Sequence, residues 1–161
     1  MILRAAEPKD ASAIAALWNA VIRNTALTFT SDEKAPETLA ALIAERAGAF
    51  WVAEDHDVQG FVTFGPFRAG PGYAATVEHT IILSDEAQGK GLGRALMQTA
   101  MDAAATRGHH IMVAGISSAN PGGVAFHTAL GFAQTAYMPR VGRKAGQWYD
   151  LILMQKTLGA P

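Results

Sequence analysis

The feature that most constrains this chain is Gln88-Gly89-Lys90-Gly91-Leu92-Gly93-Arg94, set between an apolar β-like segment and a long amphipathic helical pattern. A strand that turns through glycines into a helix is one unit of a sheet covered by helices, and the order of elements along the chain gives a mixed sheet of the α/β (α+β) class. The glycines let backbone N–H groups approach a ligand closely, and the start of the helix adds partial positive charge, so the expected ligand carries phosphate or pyrophosphate. Lys90 and Arg94 supply further local charge. Spacing removes the two commonest alternatives. G-x-G-x-x-G fails because Arg94 and Leu96 stand three beyond Gly91 and Gly93, and no G-x-x-x-x-G-K-[ST] occurs anywhere. Taken alone, a glycine-rich loop is still a weak signal.

The positive charge has to be local because the chain as a whole has none to spare. Lys and Arg number 13 against 14 Asp and Glu, a net charge of -1, which gives no electrostatic case for nucleic acid or an anionic membrane as partner. Half the residues are hydrophobic and 17% are charged, the composition of a packed globule. The absence of cysteine excludes a disulfide framework, a thiolate metal site and a thiol nucleophile together. The five histidines are too scattered for a metal site. No apolar run approaches the roughly 18 residues of a membrane span, and the N-terminus lacks the basic head and apolar core of a signal peptide. The expectation is a cytoplasmic protein with one domain over residues 1–158 and a frayed tail at 159–161.

Periodicity sets out the elements. Residues 1–3 read as an edge strand. Asp10 stands at a helix N-cap position ahead of Ile14, Leu17, Trp18, Val21 and Ile22, which share one helical face. The polar linker 24–35 carries Phe29 and is a candidate substrate loop, after which Pro36 opens a second helix to about residue 48. Segments 50–53 and 58–64 predict a hairpin turning through Glu54-Asp55-His56-Asp57, with Gly65-Pro66 breaking its second strand. After the turn Gly70-Pro71-Gly72, a long β segment over 73–83 ends in Ile81-Ile82-Leu83 and predicts a central strand. A helix over 91–107, a strand over 111–116 and a helix from Pro121 to Leu130-Gly131 follow. Strands at 132–138 and 148–156 flank a loop from Gly142 to Gly146.

With the loop in this setting, the chain resembles the GNAT superfamily of N-acetyltransferases. The signature Gln/Arg-x-x-Gly-x-Gly/Ala is matched by Gln88, Gly91 and Gly93, and Asn120 and His127-x-x-x-Gly131-Phe132 stand where that superfamily expects them. Gly65-Pro66-Phe67, Tyr73, Thr76-Val77-Glu78-His79 and Gly142-x-Lys144-x-Gly146-x-Trp148-x-Asp150 are similar to the phosphinothricin and methionine sulfoximine acetyltransferase branch. The resemblance covers about residues 2 to 158. It implies a mixed, mostly antiparallel, twisted sheet of about seven strands flanked by about four helices and splayed at an acetyl-CoA site. Acetyl-CoA would lie along Ile81, Ile82 and Leu83, on the loop residues Gln88, Gly89, Lys90, Gly91, Leu92, Gly93 and Arg94, and at Asn120. No metal is implied, and the branch is usually dimeric.

Acetylating an amine requires a neutral amine, a donor for the developing oxyanion and a route for one proton. Glu78 is the candidate base, by resemblance and because a carboxylate inside an apolar strand needs a reason. His127 takes the place near the thioester where most of the superfamily has Tyr. His79, next to Glu78, falls on the opposite face of a regular strand and reads as structural or as a subunit contact. Phe29, Phe67, Arg68, Tyr73 and Thr76 lie in segments that the branch uses to wall its amine pocket, and Arg68 offers a guanidinium to an amino-acid carboxylate. Ala74, Arg143 and Ala145 depart from the branch pattern. Two other functions stay open: acetylation of a protein N-terminus or lysine, and a non-enzymatic acyl-CoA-binding module.

Overall fold

The computed structural model describes residues 1–159, so Ala160 and Pro161 of the expected tail lie outside the described residues. Seven strands form one sheet: β1 (Ile2–Ala5), β2 (Phe50–Asp55), β3 (Asp57–Pro66), β4 (Thr76–Leu83), β5 (Ile111–Ser117), β6 (Ala133–Lys144) and β7 (Gln147–Thr157). Their order is β1-β2-β3-β4-β5-β7-β6, with β4 at the centre. Only β4 and β5 run parallel. Four α-helices cover the sheet: α1 (Ala11–Asn24), α2 (Pro36–Glu45), α3 (Leu92–Thr106) and α4 (Pro121–Ala129).

Alternation along the strands builds a core on each face. On one face Ile14, Leu39 and Ile43 of α1 and α2 pack on Phe50, Val52 and Phe61. On the other, Leu96, Met97 and Ala100 of α3 pack on Val62, Phe64, Val77, Met112 and Met154, and Phe126 of α4 adjoins them. The first pair of helices packs on β2, β3 and β4, while the end of α1 and the segment after it reach β6 and β7 at Lys144 and Tyr149. No helix among the described residues is long and apolar enough to cross a membrane.

The order of elements follows the sequence reading, but several boundaries move. The first hairpin turns through His56 alone, at φ 64°, in place of the expected four residues. α2 ends at Glu45, three residues short of Gly48. Gly65-Pro66 does not break β3, because Gly65 pairs with Glu78 and Pro66 with Val77. Proline lacks only its N–H and is tolerated on the last rung. The long β segment starts at Thr76 and not at Tyr73, since Pro71–Tyr73 is a 3-10 turn. The expected loop from Gly142 to Gly146 is mostly strand. β6 and β7 close tightly over Ala145-Gly146, both at positive φ.

Asp10 differs most from its expected role. Its side chain makes no capping bond to α1. Only 5% exposed, it accepts from the Glu7 N–H at 2.8 Å and from Arg4 Nη1 and Nη2 at 2.8 and 2.9 Å, and Arg4 Nε also donates to Glu54 at 2.9 Å. Edge strand, first turn and hairpin are thereby tied together. The Arg4 guanidinium holds the Asp10 carboxyl below its ordinary range. Its stabilisation is therefore complete at neutral pH and lost as pH falls through that depressed value. Asp10→Ala is expected to lower stability by about 2–3 kcal/mol at neutral pH, because it removes charged hydrogen bonds at a buried site. Urea unfolding across an acid series should also show a shallower loss of stability in the variant than in the parent.

Candidate active site

The sheet parts at its centre. β4 and β5 pair only at Thr76 with Ile111, Val77 with Met112 and Glu78 with Val113. Beyond that rung β4 continues along β3 to Leu83 and β5 continues along β7 to Ser117, so a fork opens between them. Phe67 N–H donates to Thr76 O, and Ser84 N–H donates to Gln59 O. The even-numbered residues of β4 therefore spend their backbone groups on β3, and the odd-numbered ones face the fork. Ile81 and Leu83 offer free backbone amides there. Ile82 does not, which narrows the expected trio to two.

The loop that leads into α3 lies beyond the open end of β4. Gly89 and Gly91 have φ of 72° and 80°, with no heavy atom within 4 Å of where a Cβ would sit. No side chain caps α3, and among the described residues no backbone carbonyl accepts from the first-turn N–H groups of Leu92, Gly93 and Arg94. An uncapped helix start in front of a backbone cradle suits a phosphate. Gly93 has a different task. A Cβ there would lie 3.2 Å from the Phe126 ring and 3.3 Å from Leu83 Cδ1, so its absence lets α3 close onto α4 and β4. Leu92 is core and contributes backbone only. Gln88, Lys90 and Arg94 are exposed. Asn120 caps α4, its Oδ1 accepting from the Gly123 N–H at 2.9 Å, and that cap leaves its Nδ2 donor unused.

Glu78 and His79 leave the strand on opposite faces at the base of the fork. The Glu78 carboxylate lies over Gly115, where a Cβ would be 3.2 Å from Oε1 with Leu151 and Leu153 beside it. Half-buried without a cation, Glu78 is pushed above its ordinary range by desolvation. On the other face His79 is 8% and His127 6% exposed. His79 Nδ1 is 3.1 Å from Val113 O, His127 Nδ1 is 2.7 Å from Gly123 O, and the two Nε2 atoms are 2.9 Å apart. Burial lowers both rings, and His79 falls to about 3 from burial first and the neighbouring His127 charge second. The sequence reads His79 as structural or as a subunit contact. Alternation does put it opposite Glu78, but only the packing of α4 shows what it meets there.

On the Glu78 face, Phe67, Tyr73 and Thr76 line a cleft of about 270 Å³ together with Val113 and Leu153, the neighbours of the Glu78 carboxylate. Arg68 is exposed and lies over the Phe67 ring at 5.5 Å, outside that lining. Phe29 stands further along β7, stacked on Tyr149 at 5.9 Å and seated where a Cβ on Gly142 would fall. Lys144 places it there. Its Nζ donates to the carbonyls of Ile22, Thr25 and Thr28 at 2.6, 2.7 and 2.9 Å, which satisfies the end of α1 and pins the 24–35 segment onto β6 and β7. Sequence reasoning noted Lys144 only as part of a motif, since nothing local ties it to residues more than a hundred positions away. Among the described residues no three His, Cys, Asp or Glu side chains are placed to hold a metal.

The family model described as an acetyltransferase (GNAT) domain matches residues 3–153. The chain belongs to the GNAT acetyltransferase family. An L-amino acid N-acyltransferase of Escherichia coli is 38% identical, over 98% of this chain and 94% of that protein. A methionine sulfoximine and methionine sulfone acetyltransferase of Salmonella typhimurium is 37% identical, over 98% and 95%. An acetyltransferase structure from Salmonella typhimurium, solved with its cofactor acetyl-CoA, superimposes with a TM-score of 0.95 at 37% identity, covering 100% of this chain and 95% of that one. The parted strands and the uncapped α3 start are thus features of a GNAT fold in this chain.

The Lys144 contacts give a test of how this GNAT site is walled. Lys144→Met keeps the stem and removes three charged hydrogen bonds, so the 24–35 segment should open at least about tenfold more often, roughly 1.4 kcal/mol. Amide exchange is the readout. Faster exchange confined to 24–35 is expected, and unchanged exchange there would remove Lys144 as the clamp.

Proposed function

We propose that this chain transfers the acetyl group of acetyl-CoA to the primary amine of a small amino-acid-like molecule of the methionine sulfoximine, methionine sulfone or phosphinothricin type. The observation that carries this is the fork itself. It has an anion cradle at its open end, an ionisable carboxylate on one face at its base and two histidines on the other. Its residues fit acetyl-CoA. The free amides of Ile81 and Leu83 suit the amides of a pantetheine arm, the cradle at Gly89, Gly91 and the α3 start suits the pyrophosphate, and Asn120 Nδ2 adds a donor. When bound, acetyl-CoA supplies an acyl group activated as a thioester.

The chain's residues then divide the remaining work. Glu78, kept less acidic by burial, takes a proton from the amine, directly or through one water. Backbone N–H groups facing the fork polarise the acyl carbonyl. His127, across the strand from Glu78, gives a proton to the leaving sulfur. Attack is direct, because the chain has no cysteine and no residue at the fork is placed as an acyl carrier. The cleft at Phe67, Tyr73 and Thr76 and the clamped Phe29 wall the amine side into a small site. This favours a small amine over a protein N-terminus or lysine, which needs an open groove. A binding module without catalysis would need neither Glu78 nor His127.

The same reading makes the enzyme a cytoplasmic homodimer. Tyr137, Met138, Val141 and Trp148 of the β6–β7 hairpin, between 41% and 53% exposed, supply an apolar surface for a second copy, and sedimentation as a monomer at micromolar concentration would overturn that.

Release of free CoA thiol from acetyl-CoA, followed with a panel of amines, tests the activity. Turnover with a small amino-acid analogue and none with peptides is expected, and no release above background with any amine sinks the proposal. Glu78→Gln should lower kcat by about 100-fold or more while leaving acetyl-CoA affinity within about threefold. Since Glu78 must be ionised and its value is raised, the acid limb of the pH profile should lie above the ordinary carboxylate range and vanish in the variant. Gly91→Val, which puts a side chain at φ 80° into the cradle, should weaken acetyl-CoA binding by about tenfold or more.

A further inference from the structure

The two histidines at the base of the fork pose a proton-counting problem. Val113 O and Gly123 O are carbonyl acceptors, so the Nδ1 atoms that meet them at 3.1 and 2.7 Å both carry hydrogen. If both rings were neutral, each Nε2 would then bear a lone pair, and two lone pairs would face each other across 2.9 Å. That is a repulsive contact inside a packed site. One more proton converts it into an N–H···N hydrogen bond, and every ring nitrogen is then satisfied.

We propose that His79 and His127 share a single extra proton, carried on His127 Nε2 and donated to His79 Nε2, so that His79 is a positioning residue for proton delivery at the fork. Burial by itself works against charge on either ring, but the two Nε2 atoms opposed at 2.9 Å favour uptake of one proton. His127 is its seat because its Nδ1 makes the shorter carbonyl bond, 2.7 Å against 3.1 Å, as a charged donor does, and a charged His127 in turn keeps His79 neutral. The pair accepts one proton and not two. No other ionisable group answers it. The rings are enclosed by Phe126 and Phe132, and Val113 of β5 and Gly123 of α4 contribute only carbonyls. Glu78 points to the opposite face, and no carboxylate, lysine or arginine among the described residues bonds to either ring.

The inference rests on the acyl-transfer reading of the fork and adds to it the source of the leaving group's proton. In each turnover the amine loses one proton, taken at Glu78, and the departing sulfur gains one, given from His127 Nε2. The carbon–sulfur bond breaks as the carbon–nitrogen bond forms. Both rings are then neutral with their lone pairs opposed, a state that takes up a proton again, and Glu78 returns its proton to water. The proton count closes without any further reactant.

Histidine-selective ¹⁵N labelling of the free protein tests the shared proton without turnover. At about pH 7 both Nδ1 atoms and one Nε2 should be protonated, the Nε2–H resonating far downfield and exchanging slowly. His79→Phe should abolish that resonance, with His79→Gln as a second variant should the first not fold. Two neutral rings with both Nε2 atoms unprotonated between about pH 6 and 8 would overturn the proposal. In kinetics, His79→Gln should lower kcat by about 10- to 100-fold with the acetyl-CoA KM within about threefold. Its alkaline limb should move to lower pH, because a glutamine carbonyl is a weaker acceptor than the imidazole nitrogen that holds the His127 proton. An unmoved limb would leave His79 merely structural and also overturn the proposal. If the parent acetylates no amine, the acyl-transfer reading fails by itself, and the nitrogen spectra still decide whether the proton is shared.

Discussion

Everything that distinguishes this molecule from an ordinary covered sheet depends on the parting of β4 from β5 after the Glu78–Val113 rung. A parallel pair is normally buried and continuous, since each unpaired backbone group inside a sheet costs a hydrogen bond. Here both strands go on with partners on their outer sides only. The inner edges, with the amides of Ile81 and Leu83, are left to an extended ligand that can pair with them. The parting also decides where His79 points its ring. Its Nδ1 meets Val113 O, a carbonyl of the last ladder rung, so the ring is fixed where the pairing ends.

Because alternation is strict at that rung, two adjacent residues serve opposite sides of one opening. Glu78 faces the surface where Phe67, Tyr73 and Thr76 form a cleft and where Phe29 is held by Lys144. His79 faces α3 and α4, the side on which the anion cradle lies. A strand through the centre of a sheet thus sets a carboxylate and a pair of histidines on opposite sides of one opening, little more than the thickness of the backbone apart. The environments differ: Glu78 is half-buried with no cation to lower it, and the histidines, enclosed by aromatic rings, bond two backbone carbonyls and each other. The small residues at these points are clearances. Gly115 leaves room for the Glu78 carboxylate, and Gly93 lets α3 settle against Phe126 and Leu83.

Much of this was legible in the sequence because it depends on local rules. The strand–glycine–helix unit around Gly91, the apolar stripe of α3, Pro36 and Pro121 at helix starts, and Glu78 inside an apolar strand all follow from periodicity and capping chemistry. What escaped was long-range. Gly65-Pro66 reads as a breaker until Glu78 and Val77 are seen to pair with it, and the glycine-rich 142–146 stretch reads as a loop until β7 is aligned beside it. Asp10 reads as a cap because its position suits one, while its partner Arg4 is recruited by the fold of the edge strand. Lys144 and His79 were beyond local reasoning altogether, since one answers carbonyls at Ile22, Thr25 and Thr28 and the other a helix forty-eight positions away.

The central claim, that the fork is where the thioester is held, is tested most directly by backbone amide exchange with and without acetyl-CoA. The fork predicts that Ile81, Leu83 and the N–H groups of Gly89 through Arg94 exchange quickly in the free protein and become protected together on binding. Amides of Ile82, already bonded to β3, should change little. Binding of acetyl-CoA with no protection at Ile81 and Leu83, or with protection confined to the β6–β7 hairpin, would contradict this account of the fold.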